Sequence, residues 1–314
     1  MRIARVLGVF LAVASPALAL SNRVFVSSAG IDVGTCTISS PCRSFSYAMT
    51  QVAATGEVIA IDTAGYGTFT INQAVSVIAA PGVAAFIAVT SGTGISVHAT
   101  SGAVILRGLV LSGSGATIGI DFSFATSLGV ERCAVNGFST AGIVTVRANT
   151  AAQPRLRIEE CTIRNNNDGI LTETDGVSSS TIAPVTISNS TVSDNGYGFL
   201  AADNTRASVT DTTFSGNAVG VASRSSADFS VAEVTLERCT ITQNTFAGIQ
   251  AGGLGATRIR GYIRIADNLI TGNSTGVIES ADGVIYSMNT GADKTNTIEG
   301  NATNGSFSGS YTAK

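Results

Sequence analysis

One short pattern recurs along the chain at intervals of 22 to 29 residues, and this period constrains the fold more than any other feature. Each copy runs apolar, two polar, small, polar, apolar, and closes on a polar turn with Gly and a further apolar residue. The second apolar position is occupied by Val135, Ile163, Val192, Phe214, Ile241 and Ile270, with Ile298 in a degraded seventh copy. Short strands repeated at this period pair in parallel with the same strands of neighbouring copies. The repeat therefore predicts a solenoid in which each copy is one coil.

An asparagine follows the second apolar residue by three positions in six copies. These residues are Asn166, Asn195, Asn217, Asn244, Asn273 and Asn301, and Phe138 takes the place in the first copy. Parallel strands lie about 4.8 Å apart, so amides stacked at this spacing can bond one another and the turn backbone. We expect these asparagines to form an internal ladder, which is a structural role rather than a catalytic or metal-binding one.

Small or weakly polar residues occupy the position two before each second apolar residue. They are Cys133, Cys161, Ser190, Thr212, Cys239 and Asn268. Like residues stack on like in a narrow solenoid, which predicts that these three cysteines are buried core residues. Cys36 and Cys42 instead bracket a tight polar loop and can close a short disulfide in an oxidising compartment. The chain has one His and no paired-Cys spacing, so no metal site and no cofactor is predicted.

The repeat resembles that of the pectin-lyase-like right-handed parallel β-helix superfamily, over roughly Val24 to Asn301. The segment before the repeats is similar too. Pro41-Cys42-Arg43-Ser44-Phe45 leads into a short helical stretch ending near Ala54, and a first strand begins at Gly56. The resemblance implies an all-β fold, a right-handed parallel β-helix with a short N-terminal capping helix. This superfamily includes lyases, hydrolases, epimerases, adhesins and phage fibres, so the fold alone does not choose a function.

The chain divides into four predicted segments. Residues 1–19 have the features of a secretory signal peptide, with basic residues before a short apolar run and a small-residue cleavage site after Ala19. A cap segment with the disulfide then covers 20–55, the parallel β-helix covers 56–301, and a C-terminal tail covers 302–314. No segment has the roughly 20 apolar residues that a membrane span requires. We therefore predict a secreted or periplasmic protein without a membrane span.

Net charge restricts the possible partners. Removing residues 1–19 takes away two of the 18 basic residues and none of the 21 acidic ones, so the net charge moves from −3 to −5. A negative protein attracts neither nucleic acid nor an anionic membrane surface. Nucleic acid is therefore excluded as a partner, and the oligomeric state is left open.

The densest charge lies on the outward positions of the first strand of each coil and on the turn that follows. From this stripe we select Arg157, Asp211, Arg238, Arg264 and Asp267 as candidate ligand-binding residues. Asp211 and Asp267 are two coils apart, on the order of 10 Å, which would suit two carboxylates with a water between them. Arginines of the stripe could hold the carboxylates of an acidic sugar. Alternatively, charges of alternating sign form a solvated ladder that discourages sideways aggregation.

Catalytic motifs of the superfamily are missing from the sequence. Polygalacturonases have a set of Asp pairs, Gly-His-Gly and Arg-Ile-Lys, of which this chain has only a partial match, Arg258-Ile259-Arg260. The Asp-Pro-His-Glu motif that is typical of alginate epimerases is absent. His98 is the one histidine, and the sequence places no Ser, Cys or carboxylate beside it. A surface position is therefore favoured over a role as general base.

Three functions remain from these observations. The leading hypothesis is a secreted repeat protein that binds an extracellular or cell-envelope polysaccharide, with no catalysis evident. The alternatives are a pectate-lyase-like polysaccharide lyase or glycoside hydrolase, and a structural or adhesive surface protein.

Overall fold

A computed structural model describes residues 20–147, 154–174, 182–225, 232–252, 261–280, 282–290 and 293–311. The predicted signal peptide and the segment 258–260 lie outside the described residues. Within them the chain consists almost entirely of short β-strands, with one α-helix, α1 (Phe45–Gln51). No helix in this part of the chain is long and apolar enough to span a lipid bilayer.

The strands are short and follow one another with tight turns. The N-terminal part contains β1 (Ser21–Val26), β2 (Val52–Ala60), β3 (Ala64–Gly65), β4 (Phe69–Ile71), β5 (Val75–Ala79), β6 (Ala85–Val89), β7 (Thr93–His98), β8 (Ala103–Arg107), β9 (Leu109–Gly113) and β10 (Ile118–Phe124). The central part contains β11 (Ser127–Glu131), β12 (Ala134–Asn136), β13 (Ala141–Arg147), β14 (Arg155–Glu159), β15 (Thr162–Arg164), β16 (Asp168–Thr174), β17 (Ala183–Ser188), β18 (Thr191–Ser193), β19 (Tyr197–Ala202), β20 (Thr205–Thr210) and β21 (Thr213–Ser215). The C-terminal part contains β22 (Val219–Arg224), β23 (Ala232–Glu237), β24 (Thr240–Thr242), β25 (Ala247–Ala251), β26 (Gly261–Ala266), β27 (Leu269–Thr271), β28 (Thr275–Glu279), β29 (Val284–Thr290), β30 (Asp293–Lys294), β31 (Thr297–Ile298) and β32 (Gly309–Tyr311).

Successive coils contribute one strand to each of three parallel sheets. The first sheet has the order β1, β2, β5, β8, β11, β14, β17, β20, β23, β26, β29, and β29 also pairs with β30 and β32. The second sheet runs β3, β6, β9, β12, β15, β18, β21, β24, β27, β31. The third runs β4, β7, β10, β13, β16, β19, β22, β25, β28. These sheets form a solenoid of about nine turns, which confirms the predicted parallel β-helix with one short helix.

The pairing register stacks the residues that the sequence repeat had aligned. The second sheet pairs in turn Val135, Ile163, Val192, Phe214, Ile241, Ile270 and Ile298. The third sheet likewise pairs Ile143, Ile170, Phe199, Val221, Ile249 and Val277. Apart from Ile298, all of these side chains are buried in one continuous core. Burying each such side chain contributes about 1.5–3 kcal/mol.

The predicted asparagine ladder runs through the turn between the second and third sheets, and it is confirmed. Each asparagine from Asn166 to Asn273 donates its backbone N–H to the side-chain Oδ1 of the next one, at 2.9 to 3.0 Å. The side-chain Nδ2 of each donates to the same oxygen at 2.8 to 3.1 Å. Phe138 interrupts the amide stack, but its N–H donates to Asn166 Oδ1 at 3.1 Å. At the other end Asn301 Nδ2 donates to Asn304 Oδ1 at 3.1 Å.

The column of small residues is buried beside the turn between the first and second sheets. Cys133, Cys161 and Cys239 are free thiols with at most 2% of their surface exposed, which confirms their core position. The Cys161 N–H donates to Ser190 Oγ at 3.1 Å, and the Cys239 N–H donates to Asn268 Oδ1 at 2.9 Å. Ser190 and Asn268, two polar residues of this column, thus accept hydrogen bonds from backbone N–H groups of the preceding coil.

The N-terminal end of the core is closed by α1 and by the predicted disulfide. Cys36 and Cys42 are bonded, with their Cα atoms 4.9 Å apart. Ser44 caps the helix, because its Oγ accepts the N–H of Tyr47 at 3.2 Å. Phe45 at the start of the helix is fully buried in the core. The first residues of α1 therefore cover the end of the solenoid, as terminal repeats must.

The helix ends at Gln51, earlier than the predicted end near Ala54. Val52 already has extended backbone angles, φ −82° and ψ 137°. It begins β2, where it pairs with Ser21 of β1. Pairing with this edge strand of the first sheet draws residues 52–54 out of the helix.

Asn217 offers a direct test of the ladder. Its side chain is fully buried, and its Oδ1 accepts both the N–H and the Nδ2 of Asn195 at 3.0 Å. Asn217→Ala leaves the buried N–H of Asn195 without its acceptor and removes the Nδ2 donor to the Val192 carbonyl and to Asn244 Oδ1. An unsatisfied buried polar group costs about 1–3 kcal/mol, so we expect a clearly lower urea midpoint in unfolding followed by circular dichroism.

Asn72→Ala is the matched control. Asn72 is exposed in the loop before β5, and its replacement should change stability by less than about 0.5 kcal/mol. Equal urea midpoints for the two variants would contradict a structural role for the ladder.

Candidate functional site

The outer face of the first sheet carries two parallel columns of outward side chains. One column pairs in turn Ser76, Ile105, Gly129, Arg157, Thr186, Ser208, Thr235 and Arg264. The predicted outward positions from Gly129 to Arg264 are confirmed by this register. The second column, two residues further along each strand, contains Arg107, Glu131 and Glu159.

Charged side chains of these columns form a row across β8, β11 and β14. Arg107 binds Glu131 Oε2 through Nε at 2.8 Å and through Nη2 at 2.7 Å. Arg157 Nη1 lies 3.5 Å from Glu131 Oε1, and its Nη2 pairs with Glu159. The Glu131 side chain is only 13% exposed. Arginines on both sides therefore hold the Glu131 carboxylate in a fixed position on the sheet.

This row borders a groove of about 350 Å³, which we call the first-sheet groove. Side chains from β8, β11, β14 and β17 line it, including Ala103, Ile105, Ser127, Glu131, Arg155, Arg157, Pro184 and Thr186. Gly129 lies between Ile105 and Arg157 in the outward column but has no side chain. A Cβ placed there would meet nothing closer than Glu131 Oε1 at 3.7 Å. The glycine thus leaves a notch between two long side chains.

The first-sheet groove has positive charge on an otherwise acidic protein. Arg155 and Arg157 project from the same face of β14, because alternate residues of a strand share a face. Arg155 is exposed and has no ion pair among the described residues. Among the described residues, Arg107 and Arg157 pair with Glu131 and Glu159, which leaves the charge of Arg155 without an ion-pair partner in this part of the chain. The predicted site residues include Arg157 but not Arg155, although strand alternation places the two on one face.

Three predicted site residues lie on the turn between the first and second sheets. Asp211, Arg238 and Asp267 occupy one turn position, with φ of 50°, 53° and 55°. Arg238 binds both carboxylate oxygens of Asp211 at 2.9 Å. These hydrogen bonds hold the pKa of Asp211 below its usual range. Asp211 is therefore an ionised partner of an arginine, and Asp267 follows Arg238 one coil later.

Arg264 lies in the same outward column as Arg157, four strands further along and roughly 19 Å away at the usual strand spacing. Its Nη1 is 3.9 Å from Glu233, whose carboxylate also pairs with Arg206 at 2.8 Å. The predicted residues thus share one side of the solenoid without forming a single cluster. Among them, Arg157 is the one that lines the first-sheet groove.

Two larger cavities lie near the ends of the solenoid. One, of about 490 Å³, lies beside α1 and includes Met49, Phe69 and Gln73. The other, of about 410 Å³, lies at the C-terminal end and includes Met288 and Ile298. Among the residues that the structure describes, neither cavity is lined by a charged side chain. Charge therefore distinguishes the smaller first-sheet groove as the candidate site.

His98 lies at the surface, at the end of β7, with 43% of its side chain exposed. Its Nε2 is 3.8 Å from Asp121 Oδ2, and its ring packs edge-on against Phe124. The carboxylate of Asp121 also accepts a hydrogen bond from Ser123 Oγ at 2.7 Å. This neighbour was not predicted from the sequence, because Asp121 belongs to the next coil, in β10.

A buried carboxylate lies on the outer face of the third sheet. Asp168, at the start of β16, is 8% exposed and accepts a hydrogen bond from Asn167 Nδ2 at 3.2 Å. Burial raises the pKa of Asp168 to about 6, against the opposing effect of Arg224 and with a small further rise from Glu173. Tyr197 pairs with Asp168 in the sheet, and the Arg224 guanidinium lies 5.6 Å from the Tyr197 ring centre.

The surroundings of Asp168 explain this burial. A second apolar cluster occupies the third sheet and consists of Ala141, Val144, Leu171, Leu200, Val219, Ala222 and Ala247. Its members pair along outward positions of successive strands and are nevertheless buried. The outer faces of the first and third sheets therefore differ, the former charged and the latter apolar.

Comparison with protein families gives one match over most of the chain. A family model described as periplasmic copper-binding protein (NosD) matches residues 70–313. A search of curated proteins found no match.

Solved structures of low sequence identity share the fold. Pectate lyase Pel9A is 14% identical, with a TM-score of 0.51 over 89% of this chain and 80% of its own. The A-module of the Azotobacter vinelandii mannuronan C-5 epimerase AlgE4 is 16% identical, with a TM-score of 0.51 over 79% of this chain and 80% of its own. XylC, solved with xylose, is 9% identical, with a TM-score of 0.50 over 84% of this chain and 71% of its own. This likeness shows the parallel β-helix fold and does not extend to the activity.

Asp168→Asn tests the buried carboxylate. The pKa of Asp168 is about 6 in the folded chain, above the unfolded value of 3.8, so ionisation destabilises the fold as the pH rises from about 4 to 6. An uncharged amide removes this penalty. We expect the variant to be more stable at pH 7 by about 1–2 kcal/mol, after allowance for partial solvent screening. Urea unfolding at several pH values measures the difference, which should vanish below about pH 4.

Asp282→Asn serves as the control, because Asp282 is an exposed loop residue. Its replacement should change stability by less than about 0.5 kcal/mol at any pH. A loss of stability in Asp168→Asn at pH 7 would show that the ionised carboxylate is favourable and the assignment wrong.

Proposed function

The chain belongs to the NosD family, and from this membership and the charge of the first-sheet groove we propose that it is an exported β-helix protein that binds an acidic polysaccharide. The predicted signal peptide and the periplasmic description of the family support a location outside the cytoplasm. The observation that carries the proposal is Arg155, which has no ion pair with any described residue, beside Arg157 at the Gly129 notch.

The arginines provide the recognition chemistry. A guanidinium group binds a carboxylate through two parallel hydrogen bonds, which suits the acid group of a uronate sugar. Arg155 is available for such a pair without breaking an existing one among the described residues. Arg157 shares its charge between Glu131 and Glu159, so it can reorient toward a ligand at modest cost.

The shape of the first-sheet groove suits one unit of a polymer. Its volume of about 350 Å³ lies within the usual range for small-ligand sites. Ile105 and Pro184 give it apolar walls, and the absent side chain of Gly129 leaves room for a ring. A polymer lying along the stack would also pass Arg264, and Asp211, Arg238 and Asp267 lie on the adjoining turn. We propose these as flanking contacts for a longer chain.

Binding without catalysis is the function we favour. A hydrolase or lyase needs an acid or base that is free to exchange a proton with the substrate. Glu131, which lines the first-sheet groove, and Glu159 beside it are instead paired with arginines. Asp168, whose pKa is raised, lies on the third sheet and not in this groove.

Gly129→Val tests the notch. A Cβ fits at Gly129 without a close contact, and valine favours strands, so the variant should fold. The added side chain fills the notch. We expect its affinity for short oligogalacturonate or oligomannuronate to fall at least about tenfold in isothermal titration calorimetry, a loss of about 1.4 kcal/mol. Xylo-oligosaccharide, which has no carboxylate, should bind neither protein measurably.

Thr162→Val is the control, because Thr162 is exposed on the second sheet of the coil that carries Arg155. Its affinity should match that of the unaltered chain. The absence of binding to any acidic oligosaccharide would overturn the proposal and favour a structural or adhesive protein. Release of unsaturated or newly reducing ends would favour the lyase or hydrolase alternative.

A further inference from the structure

Copper is the ligand that the family description names, and its chemistry can be compared with the donors in this chain. Copper sites in proteins use thiolate, thioether and imidazole ligands. Outside the disulfide, the sequence offers one His, three Cys and three Met. All of these except Met1 lie among the described residues.

The three cysteines are oriented as donors toward main-chain carbonyls. Cys133 Sγ lies 3.6 Å from the Leu106 oxygen and 3.3 Å from that of Glu131. Cys161 and Cys239 make the same kind of paired contact, at 3.3 to 3.6 Å. A cysteine binds copper as the thiolate, and a thiolate at these positions would lose the S–H donor and face carbonyl oxygens at 3.3 to 3.6 Å.

Burial also opposes ionisation of Cys133 and Cys239, whereas the side-chain hydrogen bond with Cys133 lowers the pKa of Cys161. At most 2% of each residue is exposed, and burial raises the pKa of Cys133 and raises that of Cys239 to about 11. Ser190 and Thr212 separate Cys161 from Cys239 in the small-residue column. That separation amounts to three strand spacings, or roughly 14 Å, so the three sulfurs cannot share one ion.

The remaining donors are dispersed. His98 has one neighbouring acid, Asp121, at 3.8 Å. Met49 lies at the N-terminal cavity and Met288 at the C-terminal one. Within the described ranges, no group of three or more His, Cys, Asp or Glu side chains is arranged to hold a metal ion. The donor set of this chain therefore does not fit a copper centre.

We infer that this member of the family has no copper site of its own, and that any copper it handles must be held by donors of another molecule. The stacked cysteines are core residues, in a column where Ser190 and Thr212 serve equally well. His98 with Asp121 can offer Cu(II) only a weak two-ligand surface contact. This inference is independent of polysaccharide binding.

The experiment is a competition for copper by the exported full-length chain. Under ascorbate, the folded protein should take no Cu(I) from a chromogenic chelator, whereas the chain unfolded in guanidinium should take it through its three thiols. A Cys133→Ser, Cys161→Ser variant should behave like the parent when folded, because serine already occupies this column. Uptake of one equivalent of Cu(I) by the folded parent, lost in this variant, would overturn the inference.

Cu(II) is tested separately by calorimetry. We expect weak binding that His98→Ala removes, with a Kd no tighter than about 10 μM, or about −7 kcal/mol. Tight Cu(II) binding, or binding that survives in His98→Ala, would also overturn the inference.

Discussion

In-register stacking of the coils is the constraint on which the rest of the structure depends. Each coil hydrogen-bonds only to its neighbours, so a residue type that suits one position must suit the same position above and below. The ladder from Asn166 to Asn301 shows this most clearly, because each amide oxygen from Asn195 onward accepts two bonds from the preceding coil. A coil that slipped by one residue would turn its apolar side chains outward and break the ladder at once.

The same stacking builds the first-sheet groove. Outward residues of successive strands form columns, and one residue without a side chain, Gly129, becomes a notch flanked by Ile105 and Arg157. The ion pairs around it contribute little to stability, since exposed pairs are worth about 0–1 kcal/mol. Their consequence is instead local charge, because Arg155 remains unpaired among the described residues. The proposed binding site thus depends on a residue that breaks the repeat, Gly129, and not on the repeated residues.

The period made the ladder, the buried cysteines and the outward column predictable, because equivalent positions of a sequence repeat must stack in register. Other features depend on how different coils and sheets meet. Asp121 approaches His98 from the next coil, and Asp168 is buried beside Ala141 and Tyr197, its pairing partners in neighbouring strands. The candidate site was predictable only in part. Charge density selected Arg157 but also favoured turn residues such as Asp211, which the structure places away from the first-sheet groove and pairs with Arg238.

The most direct test of the account is a crystal structure of the chain with a bound acidic oligosaccharide. The account predicts a sugar ring over Gly129, with its carboxylate at hydrogen-bond distance, about 2.7–3.2 Å, from Arg155 or Arg157. An ordered sugar at either end cavity or on the third sheet, with nothing bound in the first-sheet groove, would contradict it.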